Sequence, residues 1–376
     1  MSYYTICNID DKLYWIRPIE NIFNLKGDYV RKATLATNQS YDKLKTYKSD
    51  ELILGKNRKL FDIDTIKYLI KLGADVQANN NNAIITASKN NHLDVIKLLI
   101  MSGADVQANN NYAIQIASEK GYLNLAKLLI NEGADVTDSN NISIRMASKN
   151  GHIEIVKLLI TYGADVQSCN NFSIQSASEF NHIDMVKLLI AYGANILDAD
   201  NLAVRLASRF GHIDVVKLLI TNGADILAED NYAVKYASEH GHLEVVKLLI
   251  ELNADITAGD NYAVRLASRF GHINVVKLLI ANEADILAKD NYAVRFASTN
   301  GYINIVKLLI TYGADILAKN NYAVKYASEY GQLEVVKLLI ELGADITTDN
   351  NYAIKNANKN NHQKVVKLLQ ENGAIL

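Results

Sequence analysis

The chain has 376 residues, a formal net charge of −2, and 49% hydrophobic and 21% charged residues. This balance predicts a soluble, foldable protein. It argues against a whole-molecule electric field built to attract nucleic acid or an anionic membrane. A single globular core rarely grows to this size, so the length predicts two or three domains or an array of repeats.

Cysteine usage and the first residues predict an intracellular protein. The two cysteines, Cys7 and Cys169, lie far apart in the sequence and fit a reducing compartment without a disulfide framework. The opening MSYYTICNIDDKLYW has acidic residues where a secretory signal needs a basic start and an apolar run. No uninterrupted run of 18 apolar residues occurs, so we expect no membrane-spanning helix.

Residues 1–55 do not repeat and are expected to form a small β-containing head. YYTICNIDDKLYWIRP contains two β-rich runs around Asn8 to Asp11, which predicts a hairpin. YVRKATLA and DELILG are candidates for further strands. Two roles stay open: a cap that covers the apolar end of the repeats, or a docking module for cellular machinery.

From residue 56 to residue 376 the chain is an array of repeats with a period of 30 residues. A partial unit covers residues 56–80, with the match running from Phe61 to Asn80. The full units, of which the last is cut short at Leu376, begin at Asn81, Asn111, Asn141, Asn171, Asn201, Asn231, Asn261, Asn291, Asn321 and Asn351.

Each unit predicts two short helices, as the unit beginning at Asn261 illustrates. Its first half, NYAVRLASRF, has small or apolar residues at unit positions 2, 3, 4 and 7, which together cover one helical face. The pair Asp260-Asn261 offers N-cap chemistry. The Gly271-His272 step ends the first helix, and INVVKLLI predicts a second helix that is apolar almost all round. The GAD that follows most units, as at residues 223–225, is a helix stop with a left-handed glycine.

So small a helix pair must stack on its neighbours to bury its apolar faces, which predicts a solenoid. The pattern A-x-x-x-GH-x-x-VVKLLI-x-x-GAD resembles the ankyrin repeat over residues 61–376. Two features depart from that family: the period is 30 instead of about 33 residues, and Tyr262-Ala263-Val264-Arg265 replaces the TPLH opening. The missing residues fall where ankyrin proteins carry a β-hairpin finger. The resemblance therefore implies an all-α repeat solenoid with short, finger-poor loops.

Units of the type DNYAxxxASxxGHLEVVKLL also resemble those of ankyrin proteins from giant DNA viruses of the mimivirus type. The abundance of asparagine and the segment from Tyr29 to Ile70 agree with that resemblance. It implies a viral protein that acts inside the host cell, most simply in the cytoplasm, with the nucleus or virion as alternatives. We expect the protein to be a monomer.

Histidine at unit position 12 could suggest a ladder of metal ligands. The column is interrupted by Tyr122, Tyr302 and Gln332. Neighbouring repeats lie about 10 Å apart, too far for shared coordination at about 2 Å. We therefore expect a structural turn and no metal. The histidines of this column are His92, His152, His182, His212, His242, His272 and His362.

Two further columns are interpreted as structural. Serine occupies position 8 in nine units, and we expect its hydroxyl to bond a nearby carbonyl. Tyrosine at position 2, as at Tyr262, could stack on bases but is expected to pack against the next unit. No catalytic constellation or cofactor motif is found, so the sequence predicts neither an enzyme nor a bound cofactor.

Partner recognition is expected where the units differ, at positions 5, 6, 9 and 10 of the first helix, which lines the concave face of ankyrin stacks. Cationic and aromatic residues there are of the types found in protein hot spots. The alternative is that position 5 is a solvated face and position 6 packs on a neighbouring helix. The candidate residues are Arg205, Phe210, Lys235, Tyr236, Arg265, Phe270, Arg295, Phe296, Lys325, Tyr326 and Tyr330.

The leading functional hypothesis is a non-catalytic scaffold that binds a host or viral protein. One alternative is a helical solenoid that binds nucleic acid, supported by the cationic column and opposed by the interspersed acids. Another is a substrate adaptor for a host ubiquitin ligase, although no Leu-Pro-containing F-box pattern is visible and no C-terminal module is expected.

Overall fold

A computed structural model describes the backbone of six strands within residues 3–59 and all atoms of residues 61–376. The strands form one antiparallel sheet in the order β4-β2-β1-β3-β5, with β6 paired to β3. The boundary predicted after residue 55 and the predicted turn at residues 8–11 lie outside the described residues. The capping role of this segment stays a prediction. The strands are β1 (Tyr3–Cys7), β2 (Leu13–Arg17), β3 (Tyr29–Leu35), β4 (Thr46–Lys48), β5 (Leu52–Leu54) and β6 (Arg58–Lys59).

Residues 61–376 form 21 helices and no strand, which confirms the all-helical solenoid. The first helices of the units are α2 (Ala78–Lys89), α4 (Ala108–Lys120), α6 (Asp138–Lys149), α8 (Ser168–Glu179), α10 (Asp198–Arg209), α12 (Ala228–Glu239), α14 (Ala258–Phe270), α16 (Ala288–Thr299), α18 (Ala318–Glu329) and α20 (Thr348–Lys359). The second helices, with α1 completing the partial unit, are α1 (Ile63–Lys71), α3 (Leu93–Met101), α5 (Leu123–Asn131), α7 (Ile153–Thr161), α9 (Ile183–Ala191), α11 (Ile213–Thr221), α13 (Leu243–Glu251), α15 (Ile273–Ala281), α17 (Ile303–Thr311), α19 (Leu333–Glu341) and α21 (Gln363–Glu371).

A left-handed turn stands where a finger would project. Gly259, Asp260 and Asn261 have φ of 63, 57 and 60°, and an equivalent triplet opens every first helix. The N–H of Asn261 donates to the carbonyl of Thr257 at 2.7 Å, which closes the turn. The left-handed region costs most residues about 1–2 kcal/mol, but asparagine and aspartate adopt it more readily. Unit positions 30 and 1 are aspartate or asparagine throughout, which suits this turn.

The prediction that the Asp260-Asn261 pair caps the first helix is wrong. Asn261 lies inside the left-handed turn, and its Oδ1 accepts a hydrogen bond from the backbone N–H of Asp285 at 2.8 Å. The asparagine therefore ties the turn to the loop after the second helix. The prediction of short, finger-poor loops is confirmed, because these turns replace paired strands throughout residues 61–376.

The core consists of small residues on the first helices and larger aliphatic residues on the second. Ala263, Val264 and Ala267 of α14 are fully buried, as are Val276 and Leu279 of α15. Burying a valine or leucine side chain contributes about 1.5–3 kcal/mol. The alanines also leave room for neighbouring first helices to approach closely.

Two compact units make up the chain, Met1–Ser173 and Ile174–Leu376. Within the second unit, successive first helices from α10 to α20 pack on one another more extensively than successive second helices do. The first helices of this unit therefore lie closer to one another than its second helices do. The candidate residues lie on the first-helix side.

Candidate functional site

The candidate residues lie on or directly after the first helices α10 to α18, but their exposure differs. Phe210, Phe270 and Tyr330 are 40, 43 and 57% exposed. Arg295 and Lys325, by contrast, are buried, with 8 and 7% exposure. The half-buried members are Arg205, Lys235, Tyr236, Arg265, Phe296 and Tyr326. Among the candidate residues, the most accessible are thus the aromatic ones at unit position 10.

The arginines at position 5 hold the left-handed turns. Nε of Arg265 donates to the carbonyl of Asp260 at 2.8 Å, and Nη2 donates to that of Gly259, also at 2.8 Å. Arg295 makes the same pair of bonds to Asp290 and Lys289, at 2.8 and 2.9 Å. The rigid fork of the guanidinium suits two adjacent acceptors. The arginines at position 5 are therefore neither simply solvated nor free of hydrogen-bond partners.

Lysine at position 5 reaches carboxylates instead of carbonyls. Nζ of Lys235 lies 2.8 Å from the Asp230 carboxylate of its own turn. Lys325 contacts the carboxylate of Asp349 in the following turn. Because both lysine side chains are largely buried, these ion pairs are shielded from water on the lysine side. The lysine members of the column also have a structural role.

Aromatic residues at positions 2 and 6 form a ladder along the second compact unit. Tyr292 stacks on Phe296 with ring centroids 4.1 Å apart, and Phe296 lies 5.6 Å from Tyr322 of the next unit. Tyr322 stacks in turn on Tyr326 at 4.0 Å. The guanidinium of Arg295 lies 4.8 Å from the centre of the Tyr322 ring, close enough for a cation–π interaction. Tyr236, Phe296 and Tyr326 therefore pack against neighbouring units while keeping part of their rings accessible.

The tyrosine at position 2 bonds the residue at position 9 of the preceding unit. The Tyr262 hydroxyl donates to the Glu239 carboxylate at 3.0 Å. Burial, and then this hydrogen bond, raises the pKa of Tyr262. Where position 9 is arginine the direction reverses, and Arg269 donates to the Tyr292 hydroxyl at 3.0 Å. Position 9 can thus change from acid to base without losing its contact, because a tyrosine hydroxyl both donates and accepts.

The histidines at position 12 connect adjacent units. Nε2 of His242 lies 2.9 Å from the carbonyl of Arg209, and Nε2 of His272 lies 2.9 Å from that of Glu239. Burial lowers the pKa of both histidines, which favours the neutral ring. A β-carbon at Gly211 would overlap the His242 ring, and the φ of 78° at Gly211 also favours glycine. This contact between units was not predicted from the sequence, which indicated only the turn.

The predicted role of the serine hydroxyls holds for only part of the column. Ser88 and Ser178 donate to the carbonyls of Ile84 and Ile174, each at 2.7 Å. Other buried members have no hydrogen-bond partner for Oγ within the described structure, so the expectation is wrong for them. These are Ser118, Ser148, Ser208, Ser238, Ser268, Ser298 and Ser328. The small size of serine explains its occurrence at this position better than hydrogen bonding does, because a small side chain fits between closely packed first helices.

Neither a metal cluster nor a membrane-spanning helix is found in the described part of the chain. No three histidine, cysteine, aspartate or glutamate side chains among those residues come together as metal ligands. No described helix is long and apolar enough to cross a bilayer. The variable surface that the fold leaves accessible is made of positions 9 and 10 and the edges of the aromatic ladder.

These observations define a helical-repeat protein whose units share one framework and differ at accessible first-helix positions. A family model described as ankyrin repeats, in three copies, matches residues 57–140, 114–200, 144–230, 204–290, 261–350 and 291–376. The chain belongs to the ankyrin-repeat family. Members of this family are typically non-catalytic scaffolds for protein–protein interaction.

One solved structure similar to this chain is the crystal structure of the human ASB11 ankyrin repeat domain. Its sequence identity is 22% and its TM-score is 0.46. The match covers 52% of this chain and 96% of that domain.

Proposed function

We propose that this chain is a non-catalytic scaffold that binds a partner protein through the first-helix face of residues 205–330. The observation that carries the proposal is the column of exposed aromatic residues on that face, at Phe210, Phe270 and Tyr330. Exposed aromatic side chains beside arginines can desolvate on contact and anchor a partner. The packed framework below them, with its hydrogen-bonded turns, supports this surface.

The family resemblance extends the proposal to a viral protein. Asparagine-rich units of 30 residues support an origin in a giant DNA virus, with a host or viral protein as partner. The proposed location is the host cytoplasm, and the proposed state is a monomer. The scarcity of cysteine fits a reducing compartment.

The hydrogen bonds of position 5 count against the nucleic-acid alternative. Binding along a phosphate backbone would need a row of cations with available donors. Arg265 and Arg295 donate to the carbonyls of their own turns, and Lys235 pairs with Asp230. The column that favoured this alternative is therefore largely engaged within the protein.

The test is affinity capture from infected host cells with three forms of the full chain, followed by quantitative mass spectrometry. The face variant carries Phe210→Ala, Phe270→Ala and Tyr330→Ala. The matched control carries Tyr192→Ala and Tyr312→Ala, which remove aromatic residues of similar exposure after the second helices.

We expect the wild type and the control to retain the same partner and the face variant to lose it, because only that variant removes the proposed anchors. Equal capture by all three forms would show that recognition lies elsewhere. Circular dichroism on each variant checks that the fold is retained.

A further inference from the structure

Two units of the second compact unit present the same surface twice. Units 201–230 and 261–290 differ at five positions, and none of those five is position 5, 9 or 10. We call Arg205, Arg209 and Phe210 the first patch, and Arg265, Arg269 and Phe270 the second patch. Each patch combines two arginines with an exposed phenyl ring, and one unit separates them.

The arginines of the patches carry charge without a carboxylate partner. None of the four patch arginines forms an ion pair in the described part of the chain, and the Asp260 carboxylate near Arg265 pairs with Lys289 at 2.6 Å. An arginine without a carboxylate partner on a protein-binding face favours an acidic partner, because complementary charge steers the encounter and lowers the cost of desolvation.

Several guanidinium donors of the patches also remain available. Arg209 makes one long bond, from Nη1 to the Tyr232 hydroxyl at 3.4 Å. Nη2 of Arg205 donates to the carbonyl of Ala199 at 2.9 Å, so this arginine contributes charge to the first patch more than free donors. Arg269 donates from Nη1 to the Tyr292 hydroxyl at 3.0 Å. Since a guanidinium has five N–H donors, Arg209 and Arg269 can each bind a carboxylate in addition.

The phenyl ring lies beside these donors. The Arg209 guanidinium is 5.7 Å from the centre of the Phe210 ring, and that of Arg269 is 5.5 Å from the centre of the Phe270 ring. A carboxylate on the guanidinium would therefore place an adjacent apolar side chain over the ring. This arrangement selects a short acidic segment that contains an apolar residue.

The unit between the patches has the opposite character. Its position 9 is Glu239, which accepts the Tyr262 hydroxyl, and its position 10 is His240. A glutamate there repels an acidic segment, so the surface offers two separate subsites. Two repeats at about 10 Å each place them about 20 Å apart. An extended chain rising about 3.3 Å per residue spans that distance in about six residues.

We propose that the two patches together bind one extended acidic segment of the partner, in which two acidic–apolar clusters lie about six residues apart. This inference rests on the proposed scaffold function and names the chemistry of its partner. Binding at both patches makes the second contact intramolecular, so the pair binds more tightly than either patch alone.

The test is isothermal titration calorimetry of the full chain with synthetic peptides. The first peptide carries Asp-Glu-Phe twice, separated by Gly-Ser-Gly, so that its clusters match the spacing of the patches. The second carries the tripeptide once, and the third carries Lys-Lys-Phe twice with the same spacer. We expect one first peptide per chain, bound at least about tenfold more tightly than the second peptide. The lysine peptide should not bind.

Arg209→Glu is the decisive variant, because the chain already shows that glutamate fits this unit position. Glu239 accepts the hydroxyl of the following tyrosine at 3.0 Å, and the introduced glutamate could accept from Tyr232 in the same way. In R209E the affinity of the first peptide should fall to that of the single-cluster peptide. Conversely, Glu239→Arg should raise the affinity for both acidic peptides.

Three results would overturn the inference: equal affinity of the first and second peptides, an affinity unchanged in R209E, or no binding of any acidic peptide. None of these results would contradict the scaffold proposal, which fails only if the aromatic face variant captures the same proteins as the wild type. The two experiments therefore separate failure of the peptide chemistry from failure of the face itself.

Discussion

The side chain of Asn261 ties the opening turn of its unit to the loop that closes it, because its Oδ1 accepts the backbone N–H of Asp285 at 2.8 Å. Its own backbone lies in the left-handed region, with φ of 60°. One residue thus meets two requirements, a conformation that asparagine tolerates and a hydrogen bond across the unit. This explains why every unit begins with asparagine.

Replacing Asn261 by alanine should lower the free energy of unfolding by about 2–4 kcal/mol. The loss combines an unsatisfied N–H at Asp285 with an alanine forced into the left-handed region. Asn261→Gly keeps the backbone freedom and should cost about half as much. Urea denaturation followed by circular dichroism measures both. Asn274→Ala, at an exposed position of α15, is the control, and a loss for Asn261→Ala no greater than for Asn274→Ala would contradict the prediction.

The helix pairs could be predicted because their signals are local. Apolar spacing defines both helices, and Gly271 with φ of 89° ends the first one, as expected. The left-handed turn was missed, although its residues were noticed, because aspartate and asparagine are equally typical of N-caps. Choosing between the two structures needs the position of Asp285, which the sequence of one turn does not contain.

The candidate face was only partly predictable, because its contacts also depend on parts of the chain that the local sequence does not contain. The bonds from Arg265 to the carbonyls of residues 259 and 260 depend on the turn being left-handed. The bond from His242 to Arg209 depends on how one unit sits on the previous one. Exposure of Phe270 and Tyr330 agrees with their variability in the sequence, whereas the burial of Arg295 could not be read from a cationic column.

Replacing Ser268 by alanine should leave stability unchanged or raise it by up to about 1 kcal/mol. Its hydroxyl is buried without a partner, so alanine removes an unsatisfied polar group and little volume. Ser88→Ala is the matched comparison at the same unit position, because Ser88 donates to Ile84 at 2.7 Å. It should be neutral or destabilising by about 1 kcal/mol. If Ser268→Ala proved the more destabilising of the two, the hydroxyl would have a partner in solution.

Lowering the pH should destabilise the stack around His242 and His272. Burial lowers their pKa in the folded state. As pH falls through the unfolded value of about 6.5, the unfolded chain therefore takes up protons before the folded chain does. Stability should decrease from about pH 7 downward and stop decreasing once the pH has passed the folded-state pKa values.

The double variant His242→Gln with His272→Gln should have a flatter profile of stability against pH, because Gln332 already makes the equivalent bond to Thr299 at 3.2 Å. Thermal melts between pH 5 and 8 test this, and an unchanged slope in the double variant would assign the effect to other groups.

Alanine at Arg265 and alanine at Phe270 should separate folding from recognition. Arg265 donates to two carbonyls of its turn, so Arg265→Ala should lower the free energy of unfolding by about 1–3 kcal/mol. Phe270 is 43% exposed, so Phe270→Ala should change stability by less than about 1 kcal/mol. Denaturant titration measures the stability of both variants, and titration with the two-cluster acidic peptide measures binding.

We expect Phe270→Ala to weaken binding at almost constant stability, because the ring is a contact surface and not a support. If Phe270→Ala instead destabilised the chain as much as Arg265→Ala, position 10 would belong to the framework, and recognition would have to rest on the arginines alone.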